Sequence, residues 1–148
     1  MNLKIEPFVG VDDYKLMSTL SELTEKLTLQ GVNYTTEIWP NEECSNPVPW
    51  TIVRTSNGMN FFFAKDKMFK IYVEDGYKGY LPNGIGIGTE MKDAKAIDPE
   101  LEFDDWEEDW QSPKGYWLED DLDTKKVMTI TVFIRELLDE DSFDRYEW

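Results

Sequence analysis

The sequence predicts a single α+β domain spanning residues 1–148, with an N-terminal helix packed on a mainly antiparallel β-sheet. Three observations carry this reading. Leucines at 16, 20, 23 and 27 repeat at the spacing of one helical face. Residues 34 to 73 then switch to period 2, in four β-branched and aromatic segments divided by turn residues. Farther on, KKVMTITVFI (125 to 134) alternates with apolar side chains on both sides, the pattern of a central strand. With 41% apolar and 14% aromatic residues, a chain of 148 residues can bury roughly 68–70% of its unfolded surface as one domain.

Taken in order, Leu3 and Ile5 alternate with polar neighbours before Pro7, as in a short edge strand or an extended entry segment. Asp12 or Asp13 caps the first helix and Gly31 stops it. The helix then covers one face of the meander that follows, in which Phe61, Phe63, Ile71 and Val73 need an apolar layer. That meander is YTTEIW (34 to 39), WTIVRT (50 to 55), MNFFFA (59 to 64) and MFKIYV (68 to 73). Its first connection runs through Pro40 and the polar turn NEECSNP, and its second through Asn57-Gly58, a dipeptide that tolerates φ > 0 at both positions. GIGIGT (84 to 89) lacks both the dinucleotide fingerprint and a P-loop lysine, so it reads as a short strand with close backbone packing. A second helix over 89 to 98, capped by Thr89, buries Met91, Ala94 and Ile97 and ends at Asp98-Pro99. Asp104 to Lys114 suits a mobile loop, and Gly115 to Leu118 a hairpin partner for 125 to 134 through the connection 119 to 124. The tail from Arg135 makes a helical turn at Leu137 and Leu138 and then frays.

The charge is uneven. Residues 1 to 97 carry 13 acids and 10 bases, and residues 98 to 148 carry 18 acids and 5 bases, so most of the net charge of −16 sits in the last third of the chain. Within it, Asp98 to Asp123 holds twelve carboxylates, one lysine and three tryptophans. Such a field disfavours nucleic acid and anionic membranes and attracts cationic proteins. No secretion signal or run of 18 apolar residues is visible, which points to the cytoplasm. A lone Cys44 forms no intrachain disulfide. The absence of histidine removes the usual zinc spacings and the commonest neutral-pH general base, so an enzyme, a metal and a cofactor are not expected.

Four chemistries compete for the acidic stretch. An EF-hand needs glycine at the sixth loop position and glutamate at the twelfth, which EFDDWEEDW and LEDDLD lack. A magnesium nuclease needs a basic groove to hold the phosphate backbone, and a glycosidase needs two carboxylates flanking a sugar, but the sequence singles out no pair. A solvated face explains any one of these residues, but not the interleaving of tryptophans with carboxylates. That interleaving suits a surface for a basic protein, in which carboxylates imitate phosphates and rings anchor.

GIGIGT, the short helix MKDAKAID, the acidic turn, and SPKGYWLEDD leading into VMTITVFI resemble, over residues 80 to 134, small bacterial immunity proteins of polymorphic toxin and contact-dependent growth inhibition systems. The resemblance implies a cytoplasmic, non-enzymatic inhibitor that binds the toxin domain of a cognate effector. Charge points to a basic toxin, with a nuclease as one candidate. On this expectation Asp104, Asp105, Glu107, Glu108 and Asp109 face the cationic cleft of the toxin. Trp106 and Trp110 anchor, and Glu119, Asp120 and Asp121 extend the patch. The alternative is a small regulatory or ligand-binding module whose acidic face takes a metal ion or a polycation.

Overall fold

The computed structural model describes residues 3–39 and 48–148, so the expected polar turn after Pro40, with Cys44, lies outside the described residues. The chain is α+β. Its main sheet is antiparallel and built from two meanders. β4 (Tyr34–Trp39), β5 (Trp50–Thr55), β6 (Met59–Ala64) and β7 (Lys67–Val73) form the first. β8 (Glu102–Asp104), β9 (Asp109–Ser112), β10 (Tyr116–Asp120) and β11 (Val127–Phe133) form the second, and the order is β4-β5-β6-β7-β11-β10-β9-β8. After β7 the chain crosses to the far edge and works back inward, so that β11 ends beside β7 as a central strand. A smaller sheet of β1 (Ile5–Glu6), β2 (Gly10–Val11) and β3 (Tyr14–Lys15) precedes α1 (Leu20–Leu29), and α2 (Met91–Ile97) lies in the crossover.

One face of the main sheet carries Val53, Phe61, Ile71, Val73, Leu118, Ile130 and Val132. These residues share a single core with Leu23 and Leu27 of α1, Ile5, Val11 and Tyr14 of the small sheet, and Met91 and Ala94 of α2. Strand alternation brings the apolar set to this side, and α1 supplies the cover that the leucine spacing predicts. Burying each such side chain contributes about 1.5–3 kcal/mol.

Several local expectations are corrected. α1 starts at Leu20, not after Asp12 or Asp13. Its cap is Thr19, which accepts from the Glu22 N–H while Glu22 reaches back to the Thr19 N–H. The preceding residues are held by the small sheet, and Ser18 and Met17 are hydrogen-bonded to Met68, which leaves Leu16 buried but not helical. Asp12 instead accepts from the Lys4 N–H and the Tyr77 hydroxyl. Ile5 does lie in a short edge strand, that of the small sheet. The second hairpin loop is Ser56–Gly58 with only Gly58 left-handed, at φ +83; a Cβ there would come within 2.8 Å of the Glu74 carbonyl oxygen. GIGIGT forms turns rather than a strand, with Ile85 fully buried. Thr89 accepts from the Gly86 N–H, so α2 begins two residues later, at Met91, and Ile97 is exposed.

The two largest corrections fall at the C-terminal end. Residues 104 to 114 are not a loose loop: β8 and β9 pair there, with Asp104 opposite Asp109 and Phe103 opposite Trp110. The tail does not fray. After a 3₁₀ turn (Arg135–Leu138) and α3 (Glu140–Asp144), Phe143, Tyr146 and Trp148 are buried in an aromatic cluster around Phe69. Lys65 and Lys67 donate to the Tyr146 and Trp148 carbonyl oxygens at 2.6 and 2.9 Å. The tail docks because of a bulge. Phe62 pairs with Lys70 and Phe63 with Met68, so the extra residue Phe69 turns to the same side as Lys70 and meets the tail there.

Candidate acidic interface

The tip of the β8–β9 hairpin is organised by Asp104. Its carboxylate accepts from the N–H groups of Trp106 and Glu107, both at 2.9 Å, and its carbonyl oxygen accepts from the Glu108 N–H. Glu108 takes a left-handed conformation, φ 57, to close the loop. An aspartate that satisfies two backbone donors of its own turn is a local device. The result is an indole held out into solvent: Trp106 is 90% exposed, and Asp105, Glu107 and Glu108 around it are exposed as well.

The remaining expected contact residues part company. Trp110 lies on the helix-side face, half-buried, against Phe103 at 5.2 Å between ring centroids, with the Lys95 ammonium 4.2 Å from its ring centre. Its indole N–H donates to Asp120 at 3.3 Å. Trp110 and Asp120 therefore hold each other in the fold, which leaves Trp110 half-buried where Trp106 is exposed. Asp109 and Glu119 turn to the other face, where Asp109 is 8% exposed and accepts from Gln111, and Glu119 accepts from the Thr129 hydroxyl. Asp121 accepts from the N–H groups of Asp123 and Thr124 and closes the β10–β11 turn. Of the expected contact residues, those at the tip combine charge, exposure and a fully presented aromatic ring.

Internal neutralisation of the stretch is sparse. Among the described residues, its ion pairs are those of Lys114 with Asp98 at 2.7 Å and with Glu100 at 3.0 Å. Asp98 is fully buried and also accepts from Ser112 Oγ, the Tyr116 hydroxyl and the Glu100 N–H. Burial pushes its pKa up, but these donors outweigh burial and hold the carboxyl at about 2. Burial and the bond to Asp98 push Tyr116 up to about 12.

Lys70 is the site residue that sequence reasoning missed. It lies on β7 over the Phe62 ring at 4.3 Å, in a groove of about 390 Å³ lined by Trp50, Glu107, Gln111, Trp117 and Leu137. Burial lowers its pKa to about 8, against the pull of Glu107, Glu119 and Asp109. Burial also raises Asp109, with the charges of Glu107, Asp104 and Glu119 adding to the rise. The only local signal was a lysine at a polar position of a strand; its carboxylate neighbours are far away in sequence. Because the folded chain releases this proton before the unfolded chain does, the penalty is fully present below pH 8 and fades toward pH 10.5. Lys70→Met is expected to raise stability at pH 7, and the gap from the parent chain should narrow as pH rises from about 8 to 10.5. Urea unfolding at a series of pH values checks this, and a gap independent of pH would contradict it.

Among the described residues, no group of three or more acidic or cysteine side chains is arranged to hold a metal ion. No helix among them is long and apolar enough to cross a membrane. Compared with known protein families, curated proteins and solved structures, the chain shows no match.

Proposed function

We propose that this chain is a bacterial, cytoplasmic, non-enzymatic immunity protein that neutralises a basic toxin domain by inserting the Asp104–Asp109 hairpin tip into its cationic cleft. The observation that carries the reading is Trp106, exposed at the end of a hairpin whose neighbouring carboxylates form no close salt bridge among the described residues, Lys70 acting on Glu107 only through its charge across the groove. A large indole left in water contributes little to folding, whereas tryptophan ringed by polar groups is the side chain most enriched among residues that dominate protein interfaces. Exposed carboxylates in excess over nearby cations accelerate encounter with a basic surface, and a desolvated indole slows release. The likeness of residues 80 to 134 to immunity proteins supports the same reading.

Two experiments test it. Co-expression with the cognate toxin domain, sought as the basic C-terminal domain of a large secreted protein encoded directly upstream, should rescue growth, and cell death regardless of this protein refutes the proposal. Replacing Asp104, Asp105, Glu107 and Glu108 by their amides should slow association about tenfold or more at low salt and flatten its dependence on ionic strength. The amide at position 104 keeps an oxygen that can accept from the turn, so the hairpin should persist. Unchanged association rates in stopped-flow measurements would move the interface elsewhere.

A further inference from the structure

The main sheet has two edges, and they are built differently. At one, β8 is three residues long, and two of the three are carboxylates, Glu102 and Asp104. Short, charged edges resist pairing with other strands. At the other, β4 runs for six residues, Tyr34–Trp39, exposed from Tyr34 to Ile38. It is β-branched and aromatic, with neither lysine nor proline inside it. Its single charge, Glu37, is neutralised by Arg54 of the neighbouring strand at 2.8 Å. Among the described residues no strand pairs with its outer side, so alternate backbone N–H and C=O groups face outward.

The side chains of β4 show the same lack of cover. Tyr34, Thr36 and Ile38 lie opposite Thr55, Val53 and Thr51, on the face that forms the core farther in. At this edge the cover runs out: Ile38 is 65% exposed, and Leu29, at the end of α1, is 80% exposed.

We propose that β4 pairs with β4 of a second copy, joining two sheets into one. A two-fold axis perpendicular to the sheet keeps each face on its own side, so only residues on the same face can stand opposite one another. Centred on Thr36, this register sets Thr36 against its own counterpart, Tyr34 against Ile38, and Thr35 against Glu37. Aromatic–β-branched and Thr–Thr cross-strand pairs are favourable. The register one step along would set two Glu37 side chains face to face, which is unfavourable. The charge distribution permits the association. The strand order puts the acidic hairpin at the opposite edge, seven strand spacings or about 34 Å away at ~4.8 Å per strand, so the two acidic ends of the dimer stand about 70 Å apart along the joined sheet, many times the screening length of about 8 Å. Both hairpin tips stay free, so this inference stands independently of the proposed inhibitory role.

Sedimentation velocity across a concentration series tests it, with three variants. The parent chain should shift from monomer to dimer as concentration rises, and Thr36→Lys, which sets two ammonium groups across the axis at an exposed position, should stay monomeric with unchanged circular dichroism. In a Cys44→Ser background, Thr36→Cys should form an intermolecular disulfide under mild oxidation, because directly opposed residues have Cα atoms roughly 4.5–5.5 Å apart. Tyr34→Cys in the same background should form much less. A parent chain that stays monomeric up to millimolar concentration overturns the proposal, as does a dimer that survives Thr36→Lys or crosslinks as readily through position 34.

Discussion

Replacing Trp106 by alanine is expected to weaken the proposed complex with a toxin domain at least thirtyfold, about 2 kcal/mol or more, while leaving the melting temperature of the free protein unchanged. The two halves of this expectation have separate grounds. The indole is 90% exposed, and its own N–H makes no hydrogen bond among those found for the described residues, so its removal opens no cavity. The turn itself survives, because Asp104 binds the backbone N–H of residue 106, not its side chain. In a complex, by contrast, the ring would be the largest apolar group at the tip, and its loss should act mainly on the dissociation rate. Surface plasmon resonance and thermal unfolding on the same preparations check both halves. A dissociation constant within twofold of the parent would remove Trp106 from the interface. A fall of several degrees in melting temperature would show that the ring supports the fold. Trp110→Ala is the informative comparison: packed on Phe103 and bonded to Asp120, it should lower stability more than affinity.

Asp98→Asn is expected to cost about 3 kcal/mol of folding stability, an effect on the scale of breaking a buried, hydrogen-bonded charge network. One carboxylate there accepts from Lys114, Ser112, Tyr116 and the Glu100 N–H. An amide offers a single acceptor oxygen and turns an NH₂ toward the remaining donors, two of which, the Ser112 and Tyr116 hydroxyls, bond to Asp98 within the interior. Because the folded pKa lies at about 2, below the usual 3.8, the contribution of the ionised group is complete above pH 3.8 and is lost as the pH falls toward 2. The Asn variant should therefore be less stable than the parent at pH 7 and approach it in acid. Guanidinium unfolding at pH 7 and pH 2.5 measures both. A loss below about 1 kcal/mol at pH 7 would show that the donors find other partners. Since Asp98 ends α2, Ser112 ends β9 and Tyr116 begins β10, this cluster ties the crossover helix to the acidic meander and fixes the base from which the hairpin projects.

Position along the chain is a poor guide to the role of a carboxylate in this protein. Asp98, Asp104, Asp109 and Asp121 come from one acidic stretch, yet the first closes a buried network, the second and fourth organise turns, and the third sits beneath neighbouring charges. Only the exposed group around Trp106 remains for a partner under the proposed function. Read along the sequence, the stretch looked like a uniform patch; alternation along β9 and β10 divides it between two faces, sending Trp110 and Asp120 one way and Asp109 and Glu119 the other.

By itself the sequence determined what depends on near neighbours: period-2 segments became β4 to β7 and β11, the Leu23 and Leu27 spacing became the buried face of α1, and the charge was confined to the last third of the chain. Each of these follows from side-chain directions repeating every two or 3.6 residues, which a linear reading detects. The tertiary structure alone decided that β11 docks beside β7, that a bulge turns Phe69 outward to hold the tail, that Lys70 lies among Glu107, Asp109 and Glu119, and that Trp106 rather than Trp110 stands free. Those outcomes join residues tens of positions apart. They depend on which apolar faces cover one another and which backbone groups find partners, and that is settled only when the whole chain packs.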